Sequence, residues 1–429
     1  MKNNEKKRNV EAFALRPVPP EEQKSWVALA FVNSGMVICI PAFMLGAFLA
    51  EGMSTVNGLA AGVVGYLCVL VLMSILGMQG SDLHIPTCAI TQSTLGRNGT
   101  RLIASSLFAI SLMGFFGLQV NVCGAAFTNL LYSVWGVYIP VVISSIVWGL
   151  VMTVVAVFGM ELFKHLNVWT VPALLIIMLL ALILAFRLFS MDGLTTNEVI
   201  FPTMSFAQGV GLSFSFFSAA AFAAADITRF QKTRMDTIKS SAWGLMPAGI
   251  ATLVIGFLLT RVAGIYDITL VLVQVGLPII GLIVLIITTI TTNSLNAYCG
   301  GLNLVMTFNI PDNRRREATA AIGVIGTILG AIGILNVIDV YLEWVSFFGA
   351  PIAGVMIADY WIVGRGKKEN WHLKEGWNWT GLLAVLISLV ISLFIPFGVF
   401  NINGVAVSIV VYLIIEYFRP SSARSSVQK

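Results

Sequence analysis

The sequence predicts an all-α polytopic membrane protein of twelve transmembrane helices, and three observations predict it. Hydrophobic residues make up 58% of the chain and charged ones 10%, with a mean hydropathy of +0.91, values outside the range of soluble globular domains. Apolar stretches of about 20 residues, the length that crosses a hydrocarbon core as a helix, recur from Trp26 to Tyr417. All but Arg187 and Arg261 of the 25 lysines and arginines fall in every second gap between those stretches, the asymmetry that orients a multi-pass chain.

Taken in order, the spans read 26–50, 54–79, 102–131, 138–158, 166–187, 204–225, 241–263, 273–305, 318–337, 341–363, 378–398 and 402–418. A polar segment, 1–25, precedes them and a short tail, 419–429, comes after them. Segment 1–25 has no apolar core, so the first span itself is expected to direct insertion in place of a cleaved leader. The basic gaps hold the Lys2 to Lys24 cluster, Arg97, Arg101, Lys164, Arg229 to Lys239, Arg314 to Arg316 and Arg365 to Lys374, and the tail adds Arg419, Arg424 and Lys429. The other gaps are short and carry Glu51, Asp192, Glu198, Asp267 and Asp339. Both termini are therefore expected on the cytoplasmic side of a cell membrane. The positive charge is spread over these gaps, which fits anionic lipid headgroups as partners and gives no nucleic-acid surface.

Several classes of chemistry find no support. The five cysteines have no paired spacing, with Cys39, Cys68, Cys123 and Cys299 in spans and Cys88 in a loop, so neither disulfides nor a zinc site is expected. His84, His165 and His372 are too scattered to share a metal. No phosphate-binding glycine loop or sizeable soluble domain points to an ATP-driven pump. A membrane-embedded enzyme would need a nucleophile, metal cluster or catalytic carboxylate inside the spans, and a channel would need a continuous polar stripe. The acids lie in gaps or near span ends: Asp226 and Asp359 read as capping or pairing groups, and Glu343 as a candidate gate residue.

Uncharged polar residues inside the spans carry more information, because an unsatisfied polar group in lipid is costly and must face protein or a water-filled cavity. Span one holds Asn33-Ser34-Gly35 and then Pro41, a spacing that invites a helix interruption. Span six holds Gln208, Gly209, Gly211, Ser213, Ser215 and Ser218 before an alanine run. Interruptions in spans one and six are what an inverted repeat of five spans produces around a midplane site. The repeats would be about 26–187 and 204–363, with 378–418 as two extra helices.

Span eight carries Thr288, Thr289, Thr291, Thr292, Asn293 and Asn296 in a stretch otherwise rich in isoleucine and leucine. Threonine hydroxyls can bond back to the preceding turn, but this density also suits a hard monovalent cation held by neutral oxygens. On span three, Phe115 and Gln119 are four residues apart, and on span six Phe217 follows the serines. Aromatic faces beside an amide suit a flat, neutral heterocycle.

These residues carry a resemblance. Arg16-Pro17-Val18-Pro19-Pro20, Asp226-Ile227-Thr228-Arg229-Phe230, Thr291-Thr292-Asn293 and Ile357-Ala358-Asp359-Tyr360 resemble, in order and spacing, the nucleobase and cation symporter family. The resemblance implies the LeuT-like five-plus-five inverted repeat and two C-terminal helices. It implies no enzyme activity and no cofactor apart from sodium as a coupling ion, held by the carbonyls of Gly35, Ile38 and Thr288 and the hydroxyls of Thr291 and Thr292. It further implies a heterocycle stacked between Phe115 and Phe217, edge-bonded by Gln119 and Asn293, and lined by Cys39 and Ala219. The family commonly has tryptophan where Phe115 stands, and Gln119 is closer to its hydantoin-type members. The expected activity is import of cytosine or another pyrimidine or purine base, with hydroxymethylpyrimidine, allantoin, hydantoins and proton coupling as alternatives. The working unit is expected to be a monomer.

Overall fold

The computed structural model describes residues 16–158, 160–189, 204–265, 268–395 and 398–418. The basic cluster before Arg16, Asp192, Glu198, Asp267 and the tail with Arg419, Arg424 and Lys429 lie outside the described residues. Within them every regular element is a helix. In chain order these are α1 (Trp26–Val37), α2 (Ile40–Gly52), α3 (Thr55–Leu83), α4 (Thr87–Ile90), α5 (Gln92–Gly99), α6 (Ser106–Trp135), α7 (Val141–Phe158), α8 (Met160–Leu188) and α9 (Phe206–Phe222). They continue as α10 (Ala224–Thr228), α11 (Arg234–Ala263), α12 (Ile268–Gln274), α13 (Pro278–Phe308), α14 (Arg315–Ala331), α15 (Ile338–Ile357), α16 (Trp379–Leu393) and α17 (Phe400–Tyr417). Among the described residues six helices are long and apolar enough to cross a membrane, or seven with α1 and α2 as one broken span.

Local chemistry sets the ends. Ser25 Oγ accepts the Ala28 N–H at 3.3 Å and opens α1, while Ser205 and Gln208 form a reciprocal capping box on α9, each satisfying donors that the first turn leaves free. The break expected in span one is present. Ile38 leaves helical geometry, Cys39 is extended (φ −146°, ψ 165°), and α1 and α2 meet at 55°. Pro41 explains it, since proline has no N–H for the helical ladder and crowds the turn before it.

The interruption expected in span six falls at Ala223 (φ −91°, ψ 14°), between α9 and α10, and α9 runs unbroken through Gly209 and Gly211. One expected boundary needs correction. Span eight does not begin at 273. Gly276 adopts a left-handed φ of 81°, α12 stops at Gln274, and α13 starts afresh with Pro278 in its first turn, the position where proline loses nothing by lacking a donor.

Helices α3 and α9, α6 and α13, α11 with α1 and α2, and α14 with α6 and α7 form the main packed pairs. Small residues permit this. A Cβ on Gly46 would stand 2.4 Å from the Leu253 carbonyl, and one on Gly256 would stand 2.2 Å from that of Phe43. Helix association in lipid depends on such close backbone approach, because the solvent is as apolar as the side chains.

The basic segments around Arg97, Arg234 and Arg365 to Lys374 come together. There the Arg97 and Asn98 N–H groups donate to the Lys374 and Gly376 carbonyls. Arg234 pairs with Asp82 at 2.7 Å, donates to the Gly366 carbonyl and lies over the Trp361 ring, while Tyr360 Oη donates to Asp82 at 2.5 Å. Asp359 accepts from Ser93 at 2.7 Å and Tyr412 at 2.6 Å, with Lys374 at 3.9 Å. Asp226 Oδ1 accepts the Thr87 N–H at 2.8 Å. Asp226 and Asp359 thus act as pairing groups, in keeping with their positions near span ends. Cys88, expected in a loop, lies in α4 and is fully buried. Glu343 is exposed on α15.

Candidate functional site

A cavity opens where the α1–α2 break faces α6, α9 and α13. Its wall takes Met36, Cys39 and Pro41 from the break, Leu112, Phe115 and Gln119 from α6, and Phe216, Phe217, Ala219 and Ala220 from α9. Thr292, Leu295, Asn296 and Cys299 join it from α13, and Ala223 and Ile227 from the α9–α10 junction and α10. The structure therefore brings Cys39, Phe115, Gln119, Phe217 and Ala219 together from three separate stretches of chain. Asn293 does not line the cavity with them. Its side-chain amide donates to the Phe116 carbonyl at 3.0 Å and reaches Met152 Sδ at 3.2 Å.

Both aromatic walls are backed by a tyrosine that sequence reasoning missed. Tyr341 of α15 meets Phe115 edge to face at 5.4 Å and donates to the Ser111 carbonyl. Tyr66 of α3 lies 5.1 Å from Phe217 and is fully buried. Glycines make room for both rings: a Cβ on Gly114 would stand 2.4 Å from Tyr341, and one on Gly249 would stand 2.7 Å from Tyr66. A tyrosine inside an apolar span, matched to a glycine on another, is the signal available in sequence, but the pairing belongs to the tertiary fold.

Polar groups in the cavity are few and unevenly satisfied. Gln119 is 4% exposed and its Oε1 has no partner, a state that costs about 1–3 kcal/mol for a buried carbonyl oxygen. Cys39 Sγ points back to the Met36 carbonyl at 3.7 Å. Binding a ligand with a hydrogen-bonding edge would satisfy Gln119 and bury an aromatic ring against apolar walls.

Four of the five oxygens proposed for a cation, those of Gly35, Thr288, Thr291 and Thr292, converge beside this cavity. Thr292 Oγ1 donates to the Gly35 carbonyl at 2.6 Å and stands 3.1 Å from that of Thr288. Thr291 Oγ1 reaches the Thr288 carbonyl at 2.8 Å. Ile38 lies three residues past Gly35, at the break. The regular ladder lapses there: the Cys39 N–H bonds to Val37 and that of Ala42 to Cys39. Thr288 Oγ1 bonds back to Val284 at 2.8 Å as Thr291 Oγ1 does to Thr288, the ordinary use of a helical threonine, so Thr292 is the member of the set whose hydroxyl also reaches across to another helix. Neutral oxygens of this kind fit a hard monovalent ion, and among the described residues no group of His, Cys, Asp and Glu side chains is arranged for a metal.

Comparison with known proteins identifies the family and the fold. Residues 17–418 match the family described as "Permease for cytosine/purines, uracil, thiamine, allantoin". Cytosine permease of Escherichia coli K12 is 26% identical over 411 residues, covering 94% of each chain. Among solved structures, Mhp1, a nucleobase-cation-symport-1 family transporter in a closed conformation with bromovinylhydantoin bound, superposes with a TM-score of 0.82 at 18% identity, covering 94% of each chain. A Na+-coupled sialic acid symporter in a substrate-bound outward-open state gives 0.65 at 14% identity, covering 92% of this chain and 90% of that one. These likenesses show a shared transporter fold. The chain is a multi-pass membrane protein that belongs to the family of permeases for cytosine/purines, uracil, thiamine and allantoin.

Proposed function

We propose that this permease is a secondary active symporter that imports a neutral, flat heterocycle, cytosine or another pyrimidine or purine base, together with sodium. The observation that carries the reading is the position of Thr292, whose hydroxyl lies between the Gly35 and Thr288 carbonyls and which also lines the cavity of Phe115, Gln119 and Phe217. Sodium held by the carbonyls of Gly35, Ile38 and Thr288 and the hydroxyls of Thr291 and Thr292 fixes the end of α1 against α13. Met36 and Cys39, on the same break, are then fixed as cavity wall. Ion binding thereby raises substrate affinity, and the substrate raises sodium affinity by the same factor. Phe115 and Phe217 stack the ring, and Gln119 bonds its edge.

The reading includes twelve spans, five-plus-five inverted repeats with two further helices, and both termini on the cytoplasmic side of the cell membrane. The monomer is the working unit. A hydantoin-type ring is the second reading, supported by the likeness to hydantoin-bound Mhp1. The test is uptake of radiolabelled cytosine and hydantoin into proteoliposomes under a sodium or a potassium gradient. Uptake driven by sodium, and lost in Thr291→Ala and Thr292→Ala, is expected. Uptake equal in both gradients would remove sodium coupling, and uptake of neither ring would remove the substrate class.

A further inference from the structure

Helices α8 and α11 are neighbours, yet an open groove parts them along some of their length, and their sequences explain why. The three glycines of α11, Gly244, Gly249 and Gly256, meet Asn33 of α1, Tyr66 of α3 and Phe43 of α2, so the close backbone approach that joins helices in lipid is used on that side. Helix α8 contains no glycine, and each helix carries an interior proline, Pro172 and Pro247, which interrupts the ladder and bends the chain away from a straight neighbour. The groove measures about 410 Å³ and all its lining residues are apolar, among them Leu175, Leu179 and Leu182 of α8 and Pro247, Ile250 and Val254 of α11.

Charge marks one end of it. Of the 25 lysines and arginines, the two that fall outside the basic gaps are Arg187 and Arg261, and they end these same two helices. As the fifth and seventh spans in the order read from the sequence, α8 and α11 run in the same direction. Arg261 shares a face with Val254, Ile250 and Pro247, within about 40° at 100° per residue; it donates to the Met53 carbonyl and lies over the Phe257 ring. Arg187 is exposed and has no hydrogen-bond or ion-pair partner among the described residues. Val254 and Ile250 lie about 10 and 16 Å below Arg261 along the helix, the depth of one leaflet of a hydrocarbon core about 30 Å thick.

We propose that this groove is a binding site for one anionic phospholipid of the leaflet at that end, with an acyl chain laid between α8 and α11 and the phosphate held by Arg187, with Arg261 beside it. A long arginine side chain keeps its head at the interface while its stem lies along apolar surface, which suits a headgroup above a chain-filled groove. The chain supplies packing that leucine and proline side chains leave open. Helix α8 rests also on α1 and α13, so the lipid steadies a helix that backs the proposed cation oxygens. The site is independent of which ring or ion is carried.

The experiment is native mass spectrometry of the purified protein in micelles holding equal phosphatidylglycerol and phosphatidylcholine, with thermal midpoints measured alongside. One phosphatidylglycerol per chain is expected to be retained in preference to phosphatidylcholine and to raise the midpoint. Arg187→Gln should weaken that retention about fivefold, the worth of one basic residue at an anionic headgroup, and Arg187→Lys should keep most of it. Arg314→Gln, in a basic gap, should change nothing. Ile250→Trp fills the groove and should abolish retention; Val254→Phe takes its place if the tryptophan variant does not fold. Equal retention of the two lipids, or retention unchanged by Arg187→Gln, would overturn the headgroup assignment. Retention that survives a folded groove-filling variant would overturn the groove. Competition by glycerol phosphate, which has the headgroup chemistry without chains, would show a site for a free anion and overturn the lipid.

Discussion

The two interruptions that border the cavity are built differently. Between α1 and α2 the chain becomes fully extended at Cys39, turns by 55°, and is held open by Pro41. Between α9 and α10 it barely leaves the helix: the Ala223 N–H still reaches the Ala219 carbonyl at 3.0 Å and its own carbonyl accepts from Asp226 at 3.0 Å. The first break releases backbone oxygens beside Thr292. The second keeps its backbone satisfied and offers the cavity only side chains, Phe216, Phe217, Ala219 and Ala220. Of the two breaks only the first opens the backbone, where the proposed cation would draw on carbonyls, while the second offers the proposed ring only surfaces.

The segments beyond the two breaks differ as well. Past Ala223 the chain is tied down at the basic end: Thr228 Oγ1 donates to the Gly77 carbonyl at 2.7 Å, the Arg229 carbonyl meets His84 Nδ1 at 3.0 Å, and Arg229 Nη2 donates to Tyr298 at 3.2 Å. Arg229 is 1% exposed and close to the equally buried Asp226. The largest expected effect breaks this anchor. Arg229→Leu leaves the Asp226 carboxylate buried without its cation, a change that costs about 3–5 kcal/mol, and should appear as lost expression or a steep fall in the thermal midpoint.

Next in size is the open break. Pro41→Ala restores an N–H and favours a continuous helix by up to about 3 kcal/mol. Sodium-driven uptake should fall while thermal stability holds or rises; unchanged uptake would mean that the open backbone is not what binds the ion. A smaller effect is expected behind the ring wall. Gly114→Ala drives a methyl into Tyr341, an overpacking worth about 1–3 kcal/mol, and displacement of Phe115 should weaken heterocycle binding by about tenfold. Smallest is Ala223→Gly. At a residue already outside helical geometry it should cost no more than the roughly 1 kcal/mol of a helical glycine, with sodium coupling intact, as a differential scanning measurement with and without sodium would show.

Much of the fold and part of the site were legible in the sequence. Hydropathy marked the helices, Pro41 marked the first break because proline acts locally, and the threonines of α13 stood out against their apolar neighbours. Phe115, Gln119 and Phe217, singled out by local pattern and family likeness together, line the cavity. The features that were not legible depend on packing. Nothing in an alanine-rich stretch distinguishes Ala223 from Ala221, and the contacts that hold the chain past the kink, at Gly77, Thr87 and Tyr298, lie far away in the chain. Asn293 and Asn296 are three residues apart and share a helical face, so only the approach of Phe116 and Met152 decides which of them lines the cavity. Tyr66 and Tyr341 escaped for the same reason, and Gly276 was absorbed into an apolar run whose hydropathy hides the turn.

On the proposed reading Thr292 serves both ligands, and reciprocal binding tests that role most directly. Cytosine affinity should be measured by calorimetry on the purified protein across a sodium series, and sodium affinity across a cytosine series. Each ligand should strengthen the other by one and the same factor, corresponding to about 1–3 kcal/mol of coupling, and Thr292→Ala should abolish that factor while cytosine still binds weakly. Cytosine affinity that is flat across the sodium series, or coupling that survives in Thr292→Ala, would contradict it.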